Sequence, residues 1–514
     1  MRPLPRTARQ AAGKAAWWSL WGLLLLLGLA QAADHPQWGQ PWSRNMVSAE
    51  RGLPESFDPD TGRNLKWTAP LGTETYSTPV VGRRVVLIGT NNNRPRDPRH
   101  QGDRGVLLCL DEATGRLRWQ LVTPKYNDDI YQDWPNAGIC ASATIEGQRA
   151  YILDNRRSVL CLDLEGLANG NDGPYTDEGA YMTPTNTPTM TPGPLDADIL
   201  WRFDVPEQAG IWPHDGAHAA ILIRGNHLYL NSGNGVDNTH RRIRRPDGPS
   251  LIVLDKHTGR YLARDRENIG PRIFHCTWSP PALARLNGVE QIIFCGGDGV
   301  IYGFEPWADT PPAGGPGTLK KRWLIDFDPE GPKEEVHRFI GNRKESPSNI
   351  KSTPVVVGDK LYVTGGGDIW WGKNQAWLKC YTLTGEGDLT PHALLWSVPL
   401  QRHTCSTPAV HDGLVYAADC SGQVLCADAA TGHVYWRHQL AGEIWSSPLV
   451  ADGKVYIGSR RGDLAVLAAG RELRLLATIQ LDSAIVATPV AANGVLYVAS
   501  QRTLYAAGGR PAQP

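Results

Sequence analysis

A pattern of the form [AC]-x-D-x-x-T-G-x-x-x-W returns along the chain and leaves little freedom in how the chain can fold. It runs from Cys109 to Trp119 (CLDEATGRLRW) and from Cys426 to Trp436 (CADAATGHVYW), with a partial copy from Val253 to Gly259 (VLDKHTG). The other half of each unit is a Ser/Thr-Pro followed by a hairpin, as in STPVVGRRVVLIG from Ser77, STPVVVGDKLYVTG from Ser352 and STPAVHDGLVYAAD from Ser406. Two short strands around a Gly turn, then a third strand and a Thr-Gly turn into a fourth, make a four-stranded unit. Such units repeated at intervals of tens of residues predict a β-propeller or a solenoid.

Counting units decides between these. Hairpins begin near Pro79, Ser142, Ala219, Pro280, Pro354, Pro408, Pro448 and Pro489, which makes eight. The last hairpin, within Ala487 to Leu504, has no Thr-Gly-Trp strand after it, and a strand of that type stands instead at the other end of the chain, in DTGRNLKW from Asp60 to Trp67. An N-terminal strand that completes the last blade closes the ring and removes an exposed sheet edge. The expected fold is therefore all-β: a single eight-bladed propeller of four-stranded antiparallel blades over residues 33–510. Trp at 19 outnumbers Phe at 7, as expected if large rings at the ends of outer strands pack between blades.

The first 32 residues read as a cleaved export signal. Arg2, Arg6, Arg9 and Lys14 precede an apolar run from Trp17 to Ala30, and Ala30-Gln31-Ala32 offers a small-x-small cleavage site. The run is shorter than the ~20 residues a spanning helix needs, so no membrane span is expected after cleavage and the product is periplasmic or extracellular. Lys plus Arg and Asp plus Glu balance at 52 each, which leaves no basic field for nucleic acid or anionic lipid. No oligomer signal stands out, so a monomer is expected. Of the nine cysteines, Cys109, Cys161 and Cys426 occupy the small apolar slot of the repeat and Cys380 lies close to it. Cys405 and Cys420 sit symmetrically about the Asp412-Gly413 turn and are the first disulfide candidate, with Cys276 and Cys295 a second.

The repeat resembles the tryptophan-docking motif of the quinoprotein alcohol dehydrogenase superfamily, which implies an eight-bladed propeller across nearly the whole mature chain. NGNDGPYTDEG from Asn169, WPHDGAH from Trp212, SGNGVDNTH from Ser232 and GGDGVIYGFEP from Gly296 further resemble exported bacterial PQQ-like (pyrroloquinoline quinone-like) repeat proteins described as similar to the outer-membrane assembly factor BamB. The dehydrogenase resemblance implies PQQ and calcium as cofactors, yet the adjacent cysteine pair that flanks the quinone in those enzymes is missing here. Their calcium ligands do not map onto positions of this chain. The lipid-anchor cysteine of BamB is also missing. Shared fold does not carry activity with it.

Function is expected on the face of the ring that carries the long connections: Asn91 to Arg104, Lys125 to Gly138, Gly210 to Ala217, Asn231 to Ser250, Arg338 to Ile350 and Gly365 to Gln375. The opposite face has only tight turns such as His411-Asp412-Gly413 and Ala451-Asp452-Gly453. Candidate ligand-binding residues on the long-loop face are Trp212, His214, Asp215, His218, Asn234, His240, His275, Trp278, Arg343, Asp368 and His403. A cleft of His, Asp and Trp suits a planar or polyhydroxylated ligand, stacked and hydrogen-bonded. Asp237 and Asp298 are the candidate bases for taking a hydroxyl proton. His214 and His218 have the spacing of helical metal ligands, but Pro213 and Gly216 argue against a helix, so that spacing does not carry a zinc site.

Two inserts stand out. Residues 166–198 interrupt the second blade with a Gly-, Asn-, Thr- and Pro-rich stretch that reads as a surface loop, or as a calcium loop using Asp163, Asn169, Asn171 and Asp172. Arg241 to Arg245 (RRIRR) reads as a solvated charge run. Two functions stay open: an exported propeller that binds a protein or saccharide partner on its long-loop face, and a PQQ- and calcium-dependent dehydrogenase acting on an alcohol or sugar.

Overall fold

The computed structural model describes residues 33–215, 219–308 and 310–508; the expected signal, residues 1–32, and His218 lie outside them. Eight sheets, each built on an antiparallel core of four strands, form the ring and are numbered here as blades 1 to 8; three of them gain a short parallel edge strand. They span Val80–Pro124, Thr144–Asp204, Leu222–Arg264, Ala282–Asp326, Val355–Leu400, Ala409–Gln439, Leu449–Gln480 and Val490–Ala507. Blade 8 is completed by Leu65–Pro70, which pairs antiparallel with Thr503–Ala507. The ring thus closes as the repeat count predicts. Among the described residues, no helix is long and apolar enough to cross a membrane.

The core is eight interfaces and no centre. Each apolar cluster joins one blade to the next, as where Leu107, Trp119 and Leu121 of blade 1 meet Ile152, Leu160 and Ile199 of blade 2, or where Leu464 and Val466 of blade 7 meet Leu496 and Tyr505 of blade 8. Inner strands are consequently buried on both faces and read as apolar runs without alternation, such as Val85–Asn91. The motif tryptophans join the same interfaces through their ring N–H. Trp67 donates to the Glu112 carbonyl (2.9 Å), Trp119 to Leu164 (2.8 Å), Trp201 to Lys256 (3.1 Å) and Trp436 to Gly470 (2.9 Å), each on the following blade. The Thr-Gly turn leaves room for the ring. A Cβ at Gly115, whose φ is +69°, would stand 2.5 Å from the Trp67 ring.

Residues 33–50 do something the repeat does not announce. This irregular segment runs round the inside of the ring and hydrogen-bonds to the first strand of successive blades in order. His35 exchanges both backbone bonds with Val81 (2.8 Å each), Pro36 O accepts from Ile145 N (2.7 Å), Trp42 O from Leu283 N (2.9 Å), Ser43 O from Val356 N (3.1 Å) and Met46 O from Val450 N (3.0 Å). Asn45 holds blade 6 with its side chain, donating to Val410 O (2.7 Å) and accepting from Val410 N (2.9 Å). Ser48 Oγ reaches Ala491 O of blade 8 (3.4 Å). Fully buried Arg44 donates from Nε to Pro281 O at 2.9 Å. The innermost strands of seven blades, which would otherwise present unpaired groups to the channel, are satisfied in this way.

The 166–198 insert is more than a surface loop. It contains a short helix, Glu178–Met182, whose Tyr181 and Met182 are buried in the interface between blades 1 and 2.

The inner segment gives the fold an acid-sensitive point. Burial lowers the His35 pKa from 6.5 to about 4, so the ring is neutral when folded, whereas in the unfolded chain it takes up a proton below pH 6.5. Its contribution is fully present above pH 6.5 and is lost as pH falls toward 4, by at most about 3 kcal/mol. Unfolding free energy measured against pH should show this loss in the wild type and a shallower slope in His35→Gln. Equal slopes would contradict it.

Candidate functional site

The position two residues before each first strand faces the channel, and the repeat lines these positions up as a ring. Thr353 N donates to Thr407 Oγ1 (2.9 Å), Thr407 N to Ser447 Oγ (2.9 Å), Ser447 N to Thr488 Oγ1 (3.1 Å), Thr488 N to Thr78 Oγ1 (3.1 Å) and Thr78 N to Ser142 Oγ (3.1 Å). The chain of bonds stops at blades 3 and 4, where Ala220 has no hydroxyl and Pro280 has no N–H. Two residues earlier in seven of the blades comes a second layer, formed by Tyr76, Cys140, Trp278, Lys351, Cys405, Trp445 and Val486. Both layers line one chamber of about 530 Å³ on the axis. Trp38 of the inner segment also lines it, on the side away from the long loops, so that segment forms its floor.

The long loops build the wall over blades 3 and 4, where the hydroxyl ring is broken. His214 from WPHD, His240 from GNGVDNTH and His275 from FHCTW come together with ring centroids 4.8–5.1 Å apart. His214 Nε2 and His275 Nε2 are 3.1 Å apart. Asp215 Oδ2 lies 3.5 Å from His275 Nε2 and 3.8 Å from His214 Nε2. Tyr131 stacks on His214 at 5.5 Å, and Trp371 and Trp370 pack against His240 and His275. Asp215 and His240 are held with φ of 47° and 57°, left-handed backbone that a fold keeps where surrounding contacts over-determine it.

Behind the histidines lies a charged core. Asp368 Oδ2 is 3.1 Å from His275 Nδ1 and 3.0 Å from Lys351 Nζ, and all three side chains are buried. Lys351 Nζ also stands 3.0 Å from Cys276 Sγ and 4.5 Å from the centre of the Trp278 ring. Burial opposes charge on His275, but the Cys276 sulfur and the Asp368 carboxylate outweigh it and push its pKa up to about 10. His214 is driven the other way, to about 2, by burial and then by His275 and His240. Burial works against the Lys351 ammonium as well, and Asp368 outweighs it.

Of the residues singled out in the sequence, His214, Asp215, His240, His275 and Asp368 form this constellation, and Trp278 lines the chamber beside it. Arg343 acts at one remove: it donates to the carbonyls of Ile369, Trp370 and Gly372 and so pins the loop that carries Asp368 and the two tryptophans. Asn234 likewise holds loops, accepting from Trp212 N and donating to Arg245 O. Trp212 lies under Arg244, and His403 is buried behind the wall; neither lines the chamber. The candidate bases are placed elsewhere too. Asp237 caps its own loop through Thr239 and pairs with Arg244 at 3.5 Å. Asp298 is closed between Arg272 (2.7 Å) and Tyr302 (2.8 Å). The carboxylates that do line the chamber are Asp133 and Asp215.

In the insert, Asn169 Nδ2 faces Asp172 (3.0 Å), Asn171 Nδ2 faces Glu178 (2.8 Å), and Asp163 accepts from the Glu165 amide of its own turn (2.7 Å). The amide nitrogens of Asn169 and Asn171, not their oxygens, thus point at the neighbouring carboxylates, Asp172 and Glu178. Cys405 and Cys420 are free thiols, whose sulfurs face the carbonyls of Trp445 and Ile444 at 3.8 Å each. Cys276 and Cys295 are also unbridged, the first turned toward Lys351 and the second packed in a core cluster.

Asp368 compensates two buried cations at once. Asp368→Ala is expected to lower unfolding free energy by about 3–5 kcal/mol, because an unpaired buried charge remains, and Asp368→Asn by less. Denaturant titration checks this. A loss below about 1 kcal/mol would mean that the cations reach water.

Comparison with known proteins agrees with the ring. Residues 388–475 match the family model described as outer membrane protein assembly factor BamB. An outer membrane protein assembly factor BamB of Shewanella oneidensis is 25% identical over 153 residues, covering 25% of this chain and 39% of that protein. The alignment therefore spans well under half of that relative. The crystal structure of BamB from Moraxella catarrhalis superposes with a TM-score of 0.51 at 12% identity, covering 88% of this chain and 98% of that one. Quinohemoprotein alcohol dehydrogenase from Comamonas testosteroni gives a TM-score of 0.44 at 14% identity, over 94% of this chain and 82% of that one, a likeness too loose to bear on chemistry. In its ring and in the repeat at residues 388–475, the chain is similar to PQQ-like propellers of the BamB-like type.

Proposed function

We propose that this protein is an exported binding propeller whose working site is the axial chamber and the long loops around its mouth. One observation carries the reading: loops from separate blades, otherwise unrelated in sequence, bring His240, His275 and Trp370 together on the wall of a chamber that Trp38 of the inner segment also lines. Trp370 stands edge to face with Trp278 (5.5 Å) and Trp445 (6.3 Å), which are tilted against each other at 6.5 Å, and the three offer apolar walls, while Asp133, Arg157 and Arg460 supply polar contacts. Such a chamber suits a planar or hydroxylated group, either of a saccharide or of a partner's side chain. Export is supported by the basic and apolar leader and by the likeness to an outer-membrane assembly factor.

The dehydrogenase reading draws less from the geometry. Arg157, Arg460 and the tryptophans could face a planar polycarboxylate such as PQQ, which when bound would supply two-electron oxidation. The chamber's two cysteines, Cys140 and Cys405, come from blades 2 and 6, so they do not reproduce the paired-cysteine clamp. Asp237 and Asp298, the bases that reading would use, are committed to Thr239 and Arg244 and to Arg272 and Tyr302. No quinone step follows from these residues.

Tryptophan fluorescence titration of the mature chain with soluble oligosaccharides, and with PQQ plus calcium, tests the reading. Saturable quenching by an oligosaccharide is expected, weakened about tenfold or more in Trp370→Ala, whose side chain is 36% exposed, so the fold should hold. Binding unaffected by Trp370→Ala would place the site elsewhere. Stoichiometric PQQ binding with a raised unfolding midpoint would favour the dehydrogenase.

A further inference from the structure

The histidine cluster has the form of a metal centre. His214, His240, His275 and Asp215 come from three loops that share no repeat, yet the three histidines bring one ligand atom each to within 4.8 Å of one another. The 3.1 Å between His214 Nε2 and His275 Nε2 falls within the about 2.9–3.4 Å that separates two nitrogens bound ~2.0–2.1 Å from one ion. Asp215 Oδ2 stands beside both nitrogens, in the place of a fourth donor.

One ring has behind it the kind of group that orients a metal-binding imidazole. His275 Nδ1 is 3.1 Å from the Asp368 carboxylate, whereas His214 Nδ1 is buried without a hydrogen-bond partner. A carboxylate or carbonyl on the far nitrogen sets the tautomer and aims the near one. Aromatic rings of Tyr131, Trp370 and Trp371 enclose the cluster. The left-handed backbone at Asp215 and His240 places two of the four side chains at a local conformational cost.

We propose that His214, His240 and His275, with Asp215, bind one divalent transition-metal ion of the zinc class on the chamber wall. Three imidazoles and a carboxylate select such an ion over calcium or magnesium, which take all-oxygen sites. Since Asp215, His240 and His275 line the chamber, a bound ligand could reach the ion. The inference deepens the binding reading by giving the chamber a metal, and it is tested separately from ligand binding.

Mature protein stripped with a chelator would be titrated with Zn²⁺ against a chromophoric competitor, and with Co²⁺ while visible absorption is recorded. One equivalent is expected to bind, with the intense d–d bands of a four-coordinate Co²⁺ site. His240→Gln and His275→Gln should each weaken Zn²⁺ by about 100-fold or more, whereas exposed His411→Gln should not. Unfolding midpoints of the stripped variants verify the fold; should His275→Gln fail to fold, His240→Gln carries the test. No retained metal in folded wild type, or equal affinity in wild type and His240→Gln, overturns the proposal. Oligosaccharide binding that persists in stripped protein would leave the binding reading standing without the metal, and metal binding without any oligosaccharide response would do the reverse.

Discussion

A closed ring of blades has an inner edge, and that edge must be satisfied before anything else about this protein works. Each first strand pairs with its own blade on one side and presents backbone groups to the channel on the other. An unpaired buried backbone group costs about 1–3 kcal/mol, so an untreated channel would have to fill with water. Here two devices divide the task. Residues 35–48 bond to the first strands of seven blades in turn, and the Ser/Thr ring links six blades one level higher. What is left open above them is the chamber.

The two interruptions of the hydroxyl ring bear on where the chemistry gathers. Ala220 and Pro280 remove the donor and acceptor that would continue it through blades 3 and 4, and the connections of those blades supply His214, Asp215, His240 and His275 in the same sector. Lys351 and Asp368 arrive from blade 5 to complete the electrostatics. A regular scaffold thus carries its irregular, polar constellation on one side only. Blades 6 to 8, with intact hydroxyls and tight turns, contribute Cys405, Trp445 and Val486 as wall.

Much of this was legible in the sequence, because repetition is legible. The Thr-Gly-Trp strand at Asp60 to Trp67 could be matched to the blade lacking one, and loop lengths marked the face where His214, His240, His275 and Asp368 meet. Lys351, Tyr76, Trp445 and Cys405 were open to the same reasoning: each stands two places before the residue of the hydroxyl ring, and aligning the units on their Ser/Thr-Pro would have collected them as one layer. Asp237 and Asp298 could not be sorted this way. A loop carboxylate that caps its own turn or pairs with Arg272 looks in sequence like one that faces a ligand. The inner segment was illegible for a different reason. It has no period, and its partners, from Val81 to Ala491, are scattered along the chain, so only the folded ring brings them into order.

Hydrogen exchange at single-residue resolution tests the central claim, that residues 35–48 close the inner edge and so define the chamber floor. The amides of Ile145, Leu283, Val356 and Val450, each bonded to that segment, should exchange only through global unfolding, as slowly as the amides at the centre of the second strands. Fast exchange of these four in an otherwise protected ring would mean that the channel is open from end to end, and would contradict the account.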